Sequence, residues 1–291
     1  MLPVYRTHNH AAPTRAHRIL FWIGAFFAGW VAVFTYAAHL MGQNPGLPFH
    51  APPLHLWTIA SLYLGGMVMM VLAARARTLS ATRIPVVVAG LFTGFLLLVS
   101  LFHLERFDFS VPDRTGPLWG IVWLPLPFQV SWFWFVLYGM CPVVVAVLLR
   151  RYWHASQGVH YNPLPIALRS FLASIGLCGV AFALVLLITP RIGMLLWPWE
   201  ISVFLAQIYA GPFLAFAVAA IMMAMAQDRA DTHIPAAGLA VFAAFALMAS
   251  LWHLSVLRPF SPAAFSWLGI LALLLCAAGL TLQATDRKTS T

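Results

Sequence analysis

The sequence predicts an all-α integral membrane protein of eight transmembrane helices, arranged as two parallel four-helix repeats with both termini in the cytoplasm. Three observations carry this reading. The 291 residues are 62% hydrophobic and 8% charged, with a mean hydropathy of +0.89, more apolar surface than a soluble core of this length uses. Apolar runs long enough to cross a bilayer, about 20 residues at 1.5 Å of rise each, recur eight times. Finally, the chain repeats itself: Ser100-Leu101-Phe102-His103-Leu104 returns as Ser250-Leu251-Trp252-His253-Leu254, and Ile84-Pro85 returns as Ile234-Pro235, both at an offset of 150 residues.

The predicted spans are 19–41, 55–74, 84–104, 130–149, 168–189, 200–226, 234–255 and 264–283. They are too continuous for transmembrane β-strands, which alternate over about ten residues. The first follows a basic segment with Arg6, Arg15 and Arg18, as a secretory signal does, but its apolar stretch is too long and no small-residue cleavage site follows, so it reads as a retained helix. Span two contains Gly65-Gly66, and span six contains Gly211-Pro212 at the corresponding place. Paired interruptions of this kind are expected of broken helices around a central site, to which Tyr63, Gln207 and Tyr209 would contribute polar atoms. Gly90 and Gly94 in span three correspond to Ala240 and Ala244 in span seven, both small-xxx-small pairs that let membrane helices approach closely. A looser match aligns Tyr63-Leu64-Gly65 with Tyr209-Ala210-Gly211 at an offset of 146. The stretch from Glu105 to Gln129 is proline-rich but too apolar for a solvated loop, and reads as an interfacial or re-entrant segment. Cys141, Cys178 and Cys276 lie inside spans without CxxC spacing and read as packing residues.

The organisation that follows is a cytoplasmic segment 1–18, a first repeat 19–149, a cytoplasmic linker 150–167, a second repeat 168–283 and a cytoplasmic tail 284–291. Four spans per repeat return the chain to its starting side, so the copies are parallel and related by an axis along the membrane normal. Charge orients them. Twelve of the sixteen basic residues, including Arg75, Arg83, Arg150, Arg169 and Arg229, fall on one side, and Arg106, Arg114, Arg191 and Arg258 on the other. By the positive-inside rule the first side is cytoplasmic. The net charge of +9 then reflects topology and contact with anionic lipid, not nucleic-acid binding. Nine of twelve tryptophans lie toward the outer boundary, where an aromatic belt would populate both, so the outer loops are expected to fold into a packed cap.

His103 lies eighteen residues after Pro85, a rise of about 27 Å, which puts it and His253 near the outer edge of the hydrocarbon. His39 at the end of span one, and His50 and His55 in the following loop, bring five of eleven histidines to that side. Imidazole can ligate copper, zinc or haem iron, and His39, His103 and His253 are the candidates. The same two repeated histidines also suit a structural role, capping or hydrogen-bonding a helix end. If helical, Glu105-Arg106-Phe107-Asp108 puts His103 and Arg106 on one face. Glu200 is expected to open span six, where a carboxylate favours a helix N-terminus. No acidic or basic residue lies in the central part of any span, whereas ion-coupled carriers usually need one at midplane.

His103-Leu104-Glu105-Arg106-Phe107-Asp108-Phe109, the tryptophan-rich segment ending at Tyr138, and Trp197-Pro198-Trp199 resemble a group of uncharacterised bacterial multi-pass proteins. The resemblance implies an eight-helix protein of the cytoplasmic membrane and carries no activity or site residues. The residues themselves point to a non-catalytic protein that binds a small ligand, lipid or membrane partner subunit at its outer face through His103, His253, Arg106 and Glu200. A permease using an outer cavity and the Gly65 and Gly211 breaks, and a haem- or copper-binding redox component, are the two other readings.

Overall fold

Helices form where the apolar runs stand. The computed structural model describes residues 12–40, 47, 49, 51–107, 109, 130–155, 162–258 and 261–286, with the backbone alone at 38, 39, 130, 151–155 and 286. Its helices are α1 (Arg15–Leu40), α2 (Pro53–Ala74), α3 (Arg83–Phe102), α4 (Val130–Ala155), α5 (Ile166–Ile188), the short α6 (Pro190–Leu196), α7 (Val203–Met225), α8 (His233–Trp252) and α9 (Pro262–Asp286). All but α6 are long and apolar enough to cross a membrane. The bundle displays Phe26, Val143, Leu177, Ile188 and Ile270 at its surface, which water would penalise and lipid tails accept.

Four helices make the centre. Between 44% and 67% of the spans formed by α2, α3, α7 and α8 is buried, against 22–28% for α1, α4, α5 and α9. Helix α2 packs on α8 and α3 packs on α7, while α1 flanks α2, α5 flanks α7, α4 flanks α3 and α9 flanks α8. Each inner pair therefore joins a helix from before residue 150 to one from after it, and each inner helix carries one outer partner.

Helices α2 and α7 were expected to break at their glycines, and neither does: both run uninterrupted through Gly65-Gly66 and Gly211-Pro212. The glycines instead make room for neighbouring helices. A Cβ on Gly65 would stand 2.7 Å from the Gly238 carbonyl oxygen of α8, and one on Gly211 would stand 2.8 Å from Phe95 Cβ of α3. Both sites are crossings of the two inner pairs, where only the absence of a side chain permits the approach. Gly90 serves an outer contact, with Val145 of α4 within 2.5 Å of where its Cβ would be.

The repeated pentapeptide has the same local structure in both places. Helix α3 ends at His103 (φ −125°, ψ 40°) and α8 at His253 (φ −110°, ψ 34°), each followed by a single 3-10 turn, Leu104–Arg106 and Leu254–Val256. Ser100 and Ser250 each donate their hydroxyl to the carbonyl four residues back, at 2.7 and 2.8 Å. Each then accepts an indole N–H from the adjoining outer helix, Trp134 at 2.9 Å and Trp267 at 2.8 Å. Ser100→Ala and Ser250→Ala each orphan one buried indole donor and should destabilise the bundle equally, by about 1–3 kcal/mol. Thermal unfolding in detergent checks this, and a large difference between the two variants would contradict it.

These serines, the pentapeptide histidines and the segment Trp197–Glu200 share one end of the bundle, called here the tryptophan end. Arg75, Arg83, Arg169 and Arg229 lie at the other. There Arg169 donates to the Ala224 carbonyl at 2.7 Å, and Asn162 pairs with the backbone of Gln227 and Arg229. The three cysteines are free and lie within helices, Cys178 and Cys276 exposed on the bundle surface and Cys141 half-buried.

Candidate functional site

The tryptophan end is built by aromatic residues that the chain turns inward. Helix α5 stops at Thr189, Pro190 starts α6, and α6 gives way at Trp197 to extended backbone. Trp197 and Trp199 are thereby driven fully into the bundle, where Trp197 stacks on Tyr209 with centroids 4.8 Å apart and Trp199 meets Trp267 edge-on at 5.4 Å. Trp57, Trp134 and Trp267 are also buried, whereas Trp132 and Trp252 face outward. The packed cap is therefore partial, and Trp119 and Trp123 lie outside the described residues, as does most of 105–129. Glu200 does not open a helix: α7 begins at Val203, and its cap is Ser202, whose hydroxyl accepts the Leu205 N–H at 3.2 Å.

His55 is the residue that sequence reasoning undervalued. The sequence puts His55 at the junction of the loop and span two, and Pro53 starts α2 two residues earlier, because its missing N–H costs nothing at a helix start. Being 1% exposed, His55 then faces the Trp197–Glu200 segment. Its Nδ1 lies 3.1 Å from the Tyr209 hydroxyl, its Nε2 lies 3.2 Å from the Glu200 carbonyl oxygen, and the Trp199 indole N–H lies 3.0 Å from Nε2 and 3.4 Å from Nδ1. A carbonyl only accepts and an indole only donates. The Glu200 carbonyl therefore assigns Nε2–H as its donor and leaves the single lone pair of Nδ1 to be shared by Tyr209 at 3.1 Å and Trp199 at 3.4 Å. An imidazole with both nitrogens protonated would leave the Trp199 N–H without an acceptor on the ring, whereas Tyr209 could accept Nδ1–H and donate to the His55 carbonyl at 3.3 Å.

His55 and Trp199 of this network line a cavity of about 430 Å³, together with Pro52, Pro53, Leu54, Glu200, Ser255 and Arg258. The size is within the range of small-molecule sites. Its rim is held by backbone: the Glu200 carbonyl by His55, and the Arg258 N–H by the Pro198 carbonyl at 2.9 Å.

The other residues singled out in the sequence fall elsewhere. His103 lies against α7, its Nε2 2.6 Å from Gln207 Oε1 and its ring edge-on to Phe204. Gln207 donates its amide to the Leu187 carbonyl at 2.9 Å, which turns Oε1 toward the imidazole and makes His103 the donor. The Nδ1 face of His103 is 3.4 Å from Glu105, which also meets Arg106 at 3.8 Å. The Glu105 carboxyl is held below the usual carboxylate range, first by its own backbone N–H and then by His103 and Arg106. It is fully exposed, so water screens these contacts. His253 donates Nδ1–H to the Ala249 carbonyl at 3.0 Å, closing the end of its own helix, and packs edge-on against Trp57. Tyr63 hydrogen-bonds the Tyr138 hydroxyl deep in the bundle. His103 and His253 thus serve different interfaces, α3 with α7 and α8 with α2. The His39 side chain and His50 lie outside the described residues. Among the described residues, no three His, Cys, Asp or Glu side chains gather where a metal ion would sit.

Of the sequence-selected residues, then, Glu200 lines the cavity and Tyr209 supports its wall through His55. The signal that could have found His55 was the Pro52-Pro53 pair just before it, read as a helix start. Comparison with protein families, with curated proteins and with solved structures finds no match to this chain.

Proposed function

We propose that the chain is a non-catalytic protein of the cytoplasmic membrane that binds a small ligand at its outer face, in the cavity between the start of α2, the Trp197–Glu200 segment and the turn after α8. The observation that carries this reading is the 430 Å³ cavity itself. It stands at the ends of the spans, and its wall includes His55 and Trp199, hydrogen-bonded to each other, with Tyr209 bonded to His55 behind them. Such a wall is preorganised, so little ordering cost is left for binding.

In the same reading the protein is two parallel four-helix repeats with both termini cytoplasmic. Support for the duplication comes from matched pairings, α2 on α8 beside α7 on α3, and from the twin Ser100–Trp134 and Ser250–Trp267 bonds. Support for the orientation is the clustering of arginines at the end opposite the cavity. The permease reading draws on an outer cavity and on broken helices, and continuous α2 and α7 withdraw the second of these supports. The redox reading allowed His103 and His253 to share one ligand, and their places in separate helix pairs do not support that sharing.

Filling the cavity tests the proposal. Purified protein in nanodiscs is screened by thermal shift against amino acids, betaines, polyamines, sugars, phosphate and short carboxylates, beside Ser255→Trp, which places an indole over the cavity. At least one compound should raise the unfolding temperature of the unsubstituted protein and leave Ser255→Trp unchanged, since a ligand at 100 times its Kd adds about 2.7 kcal/mol to the native state. If none does, or if Ser255→Trp responds equally, the cavity is not a binding site.

A further inference from the structure

Two opposite charges border this cavity, Glu200 from the segment before α7 and Arg258 from the turn after α8. Among the described residues, neither has an ion-pair partner, and they are not paired with each other; the charge contacts present are those of Glu105 with His103 and Arg106. The backbone bonds to His55 and Pro198 hold the two residues in place independently of their side chains, so the charges stand on a fixed frame. Behind them the wall offers no free polar atom of His55, because the Glu200 carbonyl, Tyr209 and Trp199 occupy both ring nitrogens. A ligand must therefore be recognised at the charged rim and not through the imidazole.

A simple anion drawn to Arg258 would enter beside the Glu200 carboxylate, and a simple cation drawn to Glu200 would enter beside the guanidinium. In each case the like charge opposes what the unlike one attracts. A molecule that carries both signs satisfies both residues at once. We propose that the cavity takes a zwitterion, its anionic group on Arg258 and its cationic group on Glu200. This rests on the reading of the cavity as a ligand site and adds the chemical class of the ligand. A free solute such as a betaine and a zwitterionic lipid headgroup share that chemistry.

The test uses full-length protein in nanodiscs of phosphatidylglycerol alone, so that no zwitterionic headgroup is present, with binding read by titration calorimetry. The probes are glycine betaine, phosphoethanolamine, acetate and tetramethylammonium. At least one of the two zwitterions should bind at least tenfold more tightly than either acetate or tetramethylammonium. Glu200→Gln and Arg258→Gln should each weaken that zwitterion at least tenfold, and Glu200→Gln should narrow the gap to acetate. Arg258→Lys, which keeps the charge, should retain most of the binding and shows that loss in Arg258→Gln is not misfolding. Adding phosphatidylethanolamine to the disc separates the sources: competition identifies the lipid headgroup as an occupant, and its absence identifies the soluble zwitterion. Failure of both zwitterions to bind overturns the proposal. So does acetate binding as tightly as either zwitterion in a manner lost in Arg258→Gln; that result would leave the cavity a ligand site, one for anions. The site itself would be removed by silence from every compound in the wider screen, or by a shift that Ser255→Trp shows equally.

Discussion

Gly65→Leu should yield no folded, monodisperse protein, and Gly65→Ala should cost about 1–3 kcal/mol, the usual penalty for overpacking. The Ala Cβ would meet the Gly238 carbonyl oxygen at 2.7 Å and Phe242 Cβ at 2.9 Å, and a backbone oxygen cannot rotate away as a side chain can. The reverse contact is as tight: a Cβ on Gly238 would stand 2.8 Å from the Gly65 carbonyl oxygen and 2.2 Å from Met69 Cγ. Either substitution forces α2 and α8 apart along one of the two seams that join the halves of the bundle. In lipid no hydrophobic driving force compensates, because helix association there depends on close van der Waals contact. Gly66 is the internal control. Nothing lies within 4 Å of the place where its Cβ would be, so Gly66→Ala should be neutral or stabilising by up to about 1 kcal/mol through helix propensity. Gly65→Ala with Gly238→Ala should cost less than the sum of the two, since the first separation makes room for the second Cβ. Unfolding in graded SDS measures all four variants. Equal stability of Gly65→Ala and Gly66→Ala would mean that the crossing is not close-packed.

The architecture was legible because the bilayer imposes a length, and each of the eight predicted spans overlaps its helix to within a few residues at each end. Which helices pair was not legible. The positions that decide it, Gly65 with Gly238 and Gly211 with Phe95, are separated by more than a hundred residues, and glycine in a membrane helix signals a close approach without naming the partner. The same ambiguity made Gly211-Pro212 look like a break. A proline removes one helical hydrogen bond, but α7 keeps its course through Pro212, at the very turn where Gly211 packs on α3.

The site divided in the same way. Repetition drew attention to His103 and His253, yet repetition reports that a position is structurally required in both copies, and the paired serines three residues earlier account for much of that requirement. His253 spends its Nδ1 proton on its own helix end, and His103 is held by Gln207. His55 has no counterpart in the repeat and no motif around it, and its neighbours Trp199, Glu200 and Tyr209 lie 144 to 154 residues away. Only the folded chain brings them together. Glu200 could be selected from sequence because an acidic residue is rare in a chain with seven Asp and Glu in total. Its role at a cavity rim, instead of at a helix N-terminus, depended on where α7 starts.

His55→Leu should destabilise the tryptophan end by about 1–3 kcal/mol for the orphaned Trp199 donor alone. It should also weaken any ligand held in the adjoining cavity. Leucine is of similar volume but offers neither donor nor acceptor, so the Trp199 N–H, in a side chain 1% exposed, loses its partner on the ring. The Glu200 carbonyl also loses its donor, which releases the segment carrying the Glu200 side chain. Tyr209 is affected less, because its hydroxyl retains the His55 backbone carbonyl at 3.3 Å. Tyr209→Phe should consequently be milder than His55→Leu. His55→Gln separates polarity from shape: its amide can donate to Glu200 and accept from Trp199, so it should recover most of the lost stability. Thermal unfolding of the three variants gives the order, Leu at position 55 worst, Phe at 209 intermediate and Gln at 55 nearest the unsubstituted chain. Were His55→Leu as stable as the parent, the network would be incidental to the fold, and the preorganised wall on which ligand binding is argued would be lost with it.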